Sequence, residues 1–221
     1  MKQIEEDDIT IKGSVAWNLK PRLATITTEA WLQPTNLSLK VYSADGLHGL
    51  DNLSRYPDLC VQTLLPYVTK RGLPSSQLQA QLSLATCLST ARFTKIYMTM
   101  VAKKLNETDN SGDYQAMEEC MHQIDDGVKQ ITQSFKELQQ MGKDGYQNFL
   151  WHESNVQSWV SAALTDATNC VDGILGDGVS DSEKAMIQAR ILKVKQLASN
   201  SLALFTRFTS RYRASHGIKI P

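Results

Sequence analysis

The stretch Met117-Glu-Glu-Cys-Met-His-Gln-Ile-Asp-Asp-Gly-Val-Lys-Gln-Ile-Thr-Gln-Ser-Phe-Lys-Glu-Leu138 decides the fold. Its apolar positions, Met117, Cys120, Ile124, Val128, Ile131, Phe135 and Leu138, recur at intervals of three and four. At 3.6 residues per turn that is the buried face of an amphipathic helix. Val156, Val160, Ala163, Ala167, Cys170 and Ile174 repeat the pattern downstream. Between the two lies Met141-Gly-Lys-Asp-Gly145, whose glycines suit a helix stop. If the helices fold back on each other about that segment, Cys120 and Cys170 stand level and both face inward. A disulfide is therefore predicted, clamping the centre of a rigid, all-helical protein.

Outward from this hairpin the same periodicity continues. A helix is predicted from about Ser75 to Lys104 with Leu78, Leu82, Ala85, Ile96 and Met100 inward. The polar run Asn106 to Gly112 breaks it. A last helix carries Ile187, Ile191, Val194, Ala198, Ser201, Phe205, Phe208 and Tyr212, with Ser180-Asp-Ser-Glu183 as its cap. Four such helices with short-to-moderate loops predict an up-down-up-down bundle. Before it, Tyr56-Pro-Asp opens a short helix from Leu59 to about Lys70, with Gly72 at its C-cap and Pro74 in the first turn of the next helix. The expected organisation is a segment 1–53 without recognised fold, a helical bundle domain over 54–213, and a tail at 214–221.

The formal net charge is zero, but it is segregated. Residues 55–104 carry 7 basic and 1 acidic side chains, net +6; residues 105–181 carry 3 and 14, net −11; residues 182–221 carry 8 and 1, net +7. The central hairpin is thus acidic between basic neighbours, either as internal charge balance or as a surface that steers a basic partner. The basic residues show no aromatic interleaving, so nucleic acid is not expected. No run reaches the roughly 18 apolar residues of a membrane span. The opening Met-Lys-Gln-Ile-Glu-Glu-Asp-Asp does not read as a secretory signal. A disulfide asks for an oxidising compartment, so a signal outside this sequence is expected.

No catalytic constellation emerges. Glu119-Cys-Met-His122 fits Glu-x-x-His, but His48, His152 and His216 lack a glutamate three residues earlier, so a di-metal carboxylate site is not expected. There is no phosphate loop and no G-x-S-x-G elbow. No cofactor or metal is expected, and a binding protein is favoured over an enzyme. Cys60 and Cys87 flank the turn at Gly72 at equal distances, and either form a second bridge or remain buried thiols. Of three Asn-x-Ser/Thr triplets, Asn106 is the persuasive glycosylation candidate, because it falls in an interhelix loop.

Tyr56-Pro-Asp-Leu-Cys60, Cys120, Ser154-Asn-Val-Gln-Ser-Trp-Val-Ser-Ala-Ala-Leu-Thr165, Cys170-Val-Asp-Gly173 and Ser199-Asn-Ser-Leu-Ala-Leu204 together resemble the plant invertase and pectin methylesterase inhibitor family. The likeness spans about Ser54 to Phe208. It implies a four-helix bundle behind a short helical hairpin, secreted to the plant cell wall, which inhibits its target by reversible complex formation. The Gln157–Thr165 segment looks like the pectin methylesterase branch, and the Pro-Lys-Phe tripeptide associated with invertase binding is absent. Pectin methylesterase is therefore the expected partner. The alternatives are an acid invertase of the cell wall or vacuole, or a non-inhibitory structural or signalling bundle, and a monomer is expected before complex formation. By position, Asp126 and Asp172 match acidic residues that face the esterase's pectin cleft. His122 and Lys129 stand where acids are often found, and Asn169 where a threonine often is. The resemblance implies a cysteine nine residues before Cys60, where Asp51 stands here; an aberrant first exon or a different start would explain this and the unfamiliar first 50 residues. The chain ends soon after the bundle, so it is not expected to be the pro-region of a fused esterase.

Overall fold

Proline and glycine punctuate the entry to the bundle, and the computed structural model shows how; it describes residues 54–69, 72–106, 111–143, 146–173 and 180–217. The segment 1–53 and Ile174 lie outside the described residues. Helix α1 (Pro57–Leu64) starts on a proline, whose missing N–H is no loss in a first turn. It stops short of the predicted Lys70. Pro66 has no N–H to donate one turn back, and the chain tightens into a 3-10 turn over Leu65–Tyr67. Gly72 then closes a turn and not a helix: it exchanges backbone hydrogen bonds of 3.1 and 2.9 Å with Thr69. Its φ of +96° is one that glycine adopts without strain.

Four long helices follow: α2 (Ser76–Asn106), α3 (Ser111–Gln140), α4 (Tyr146–Gly173) and α5 (Asp181–Ser215). Ser75, the residue after Pro74, caps α2 by accepting the Leu78 N–H at 3.3 Å. Ser180 caps α5 as expected, its hydroxyl accepting the Glu183 N–H at 3.4 Å and donating to the Glu183 carboxylate at 2.8 Å. Gly142, at φ +83°, ends α3 in the left-handed conformation that its position predicts. Each helix packs on its sequence neighbours, and α5 returns to pack on α2, closing a square in chain order. The architecture is an all-α, up-down-up-down four-helix bundle with a short N-terminal helical extension. No helix among the described residues is long and apolar enough to cross a membrane.

The predicted stripes of α3, α4 and α5 are the core. Met117, Cys120, Ile124, Ile131 and Leu138 meet Val156, Val160, Ala163, Ala167 and Cys170, with Ile187, Ile191, Val194, Ala198, Ser201, Phe205 and Phe208 opposite. The stripe of α2 differs from the expected one. Ile96 and Met100 are 56% and 60% exposed, whereas Ala91, Thr94, Met98 and Val101 are buried. Hydropathy alone misreads this helix because its inner face uses threonines. Thr90 and Thr94 each donate the hydroxyl to the carbonyl four residues back, both at 2.9 Å, so the buried oxygen is satisfied.

Cys120 and Cys170 are joined, with Cα atoms 4.6 Å apart. The bond sits near the open end of the α3–α4 hairpin and not at the bundle centre, since Cys170 falls in the last turn of α4. Spacing from the connecting turn sets the two cysteines level with each other but does not centre them. Cys60 and Cys87 form no second bridge; both are buried thiols. The Cys87 thiol donates to the Val194 carbonyl on α5 at 3.8 Å, and burial pushes its pKa up to about 12. Asn106 is the last residue of α2, and Ser111 already belongs to α3. The glycosylation candidate is therefore at a helix end, not inside a loop. Lys103 and Lys104 in the final turn suit the negative end of the helix dipole and let α2 run on. Helix α5 runs to Ser215, past the boundary expected at 213.

Candidate interaction face

The α3–α4 pair is held closely by small residues as well as by the disulfide. Gly127 is buried, and a Cβ built on it would lie 3.8 Å from Ala163 Cβ. Further along, the Asn155 amide donates to Glu137 at 2.8 Å. Cys120 opposite Cys170, Gly127 opposite Ala163 and Glu137 opposite Asn155 define one antiparallel register. That register presents one helix face from each partner to solvent.

On α3 the outer row includes Glu119, His122, Asp126 and Lys129, all exposed. On α4 it includes Thr165, Asn169 and Asp172, also exposed. All five expected interface residues thus lie on the outside of this hairpin. From the register, His122 and Asn169 stand nearly level. Asp126 and Asp172 lie to either side of them, separated along the axis by about 12 Å at 1.5 Å per residue. The two acids are therefore on one face but do not form a single cluster.

The charges of α3 are tied to one another. The Lys129 ammonium lies 2.9 Å from Asp126 and 3.2 Å from Asp125. Asp125 also pairs with Lys95 of α2. The hydrogen bond from Lys95, with a second from Lys129, holds the Asp125 carboxyl below its ordinary range. Lys129 therefore offsets the negative charge of both aspartates. Asp172 is unlike the rest. It lies one residue before the end of α4, where the helix dipole disfavours an anion.

One further acid belongs to this region. Asp166 is half-buried on the α3-facing side of α4, and burial, with the nearby Asp126 charge, pushes its pKa up. A signal was present in the spacing: Asp166 precedes Cys170 by four residues, so it points almost inward. A second acid, Glu153, lies on the inner side of α4 near its start. It is 5% exposed and pairs with Arg213 of α5, beside the stack of Phe149 on Tyr212 at 4.1 Å. That pair anchors the turn end of the hairpin, away from the outer rows.

Residues 51–204 match the family model described as plant invertase/pectin methylesterase inhibitor. Among curated proteins, pectinesterase inhibitor 9 of Arabidopsis thaliana is 35% identical over 159 residues, covering 72% of this chain and 78% of the relative. A 21 kDa protein of Daucus carota is 30% identical over 163 residues, covering 73% and 82%. Among solved structures, a mutant form of a pectin methylesterase inhibitor from Arabidopsis aligns with a TM-score of 0.51 at 18% identity. It covers 72% of this chain and 95% of that one, a likeness of fold.

Proposed function

Because this chain belongs to the plant invertase/pectin methylesterase inhibitor family, we propose that it binds a pectin methylesterase reversibly and occludes the cleft that takes pectin. Membership sets it among inhibitor-type proteins rather than enzymes. The observation that carries the finer reading is the exposed outer face of α3 and α4, with Asp126 on one side of His122 and Asn169 and Asp172 on the other. A packed bundle presents these groups on a backbone already ordered, which lowers the cost of binding. The acids steer a basic partner at the encounter stage, and their effect falls with ionic strength. The site of action on this reading is the plant cell wall, where the disulfide persists.

Titration of the purified protein against a panel of plant pectin methylesterases and acid invertases tests the reading. Saturable, reversible loss of methylesterase activity is expected. Loss of invertase activity alone would transfer the target to that enzyme, and loss of neither would overturn inhibition. Against a sensitive esterase, Asp126→Asn with Asp172→Asn should slow association several-fold and flatten its salt dependence. An unchanged association rate at low and high salt would move the interface off this face.

A further inference from the structure

Beside α1 a cavity of about 350 Å³ opens between the chain entry, α4 and α5. Its wall is fixed from behind. The Tyr56 N–H donates to the buried Asn200 side chain at 3.2 Å, and the Asn200 amide donates to the Tyr56 carbonyl at 2.7 Å. This two-way clamp fixes the backbone next to Arg55, which lines the groove. The polar lining is Arg55, Lys195, Thr165, Thr168, Asn169 and Ser199, with no carboxylate.

The lining separates into two chemistries. Arg55 and Lys195 call for an anion, and an arginine fork matches a carboxylate. The Thr165 hydroxyl donates to the Ser161 carbonyl at 3.1 Å, and that of Thr168 to the Leu164 carbonyl at 2.8 Å. With their donors spent on the helix, these two lining hydroxyls keep only acceptor capacity. Lone pairs are poor company for an inorganic anion and good acceptors for ligand hydroxyls. A neutral sugar would leave both cations unanswered. The volume lies at the low end of small-molecule sites, which suits one ring and not a chain. We propose that this cavity binds a single hexuronate ring, its carboxylate on Arg55 and Lys195 and its hydroxyls on Thr165 and Thr168. The site goes beyond esterase inhibition, and its binding needs no protein partner. Thr165 and Asn169 belong to both the cavity wall and the outer row of α4, so the two sites adjoin.

Backbone NMR titration of the isolated full chain with D-galacturonate is the test. The expected result is saturable shifts confined to Arg55, Thr165, Thr168, Lys195 and their neighbours. Affinity should fall at least tenfold for the methyl ester of galacturonate, for D-galactose and for inorganic phosphate, and likewise in Arg55→Gln with Lys195→Gln. Equal binding of phosphate would reduce the site to a plain anion sink, and equal binding of galactose or the ester would show that charge is not read. No saturable shift with galacturonate would overturn the site. Thr168→Val removes one acceptor without touching charge or α1, and should weaken galacturonate several-fold; unchanged affinity in that variant would overturn the hydroxyl half of the proposal.

Discussion

Gly127 lies buried in the middle of α3, in a row where every other inward residue carries a side chain. Its φ is not in the left-handed region, and a methyl group there would meet Ala163 Cβ at 3.8 Å, an ordinary contact. Glycine inside a helix costs roughly 1 kcal/mol against alanine. Gly127→Ala should therefore raise stability by roughly 0.5–1 kcal/mol, read as a higher urea midpoint at constant slope. A lower midpoint would mean that the α3–α4 contact has no room even for a methyl. The residue scale is also where sequence reading was least complete. The outward positions of Asp126 and Asp172 are legible in the sequence, since at about 100° per residue they lie roughly 240° and 200° from the inward Cys120 and Cys170. The character of Asp125 and Asp166 is not, because it depends on what lies on the neighbouring helix.

Lys95 and Asp125 join α2 to α3, two elements that the chain connects only at one end. The carboxyl is held below its ordinary range mainly by the hydrogen bond from Lys95. With the folded-state pKa depressed, this group contributes stability above the unfolded carboxyl pKa and loses it as pH falls through the folded value. Lys95→Ala should raise the Asp125 pKa towards the ordinary carboxylate range and make the stability profile less steep on the acid side. Carboxyl ¹³C titration by NMR reads the first effect and denaturation between pH 2 and 5 reads the second, that interval being about one to two units around the usual value. An unmoved Asp125 would show that Lys129 alone sustains the shift. At this scale α3, α4 and α5 were legible because each has one clean apolar stripe. Helix α2 was not, since it serves two neighbours with small and hydroxyl-bearing residues while Ile96 and Met100 face outward.

Over the whole molecule, the Cys120–Cys170 bond closes a loop with a sequence separation of 50 and ties the open end of the acidic hairpin. Replacing both cysteines by alanine should cost about 4 kcal/mol in the chain-entropy account of a loop this long. The fold should survive, because the Phe149–Tyr212 stack and the Glu153–Arg213 pair hold the opposite end. Thermal and urea unfolding of the double variant check the magnitude, and far-ultraviolet circular dichroism checks the helix content. A loss under about 1 kcal/mol would mean that the hairpin is already restrained in the unfolded chain.

The sequence by itself determined the fold class, the order of the helices, the Cys120–Cys170 pairing and the outward direction of Asp126 and Asp172. Each of these follows from periodicity along one helix or from symmetry about one turn, so local geometry is sufficient. Only the tertiary structure decided which face of α2 is buried, where along the bundle the disulfide sits, and that Lys129 and Lys95 share Asp125. It also decided that Arg55 and Lys195, 140 positions apart in sequence, line one cavity with α4 threonines. Contacts of that kind depend on the register between helices, and register is set by the packing of side chains from several elements at once.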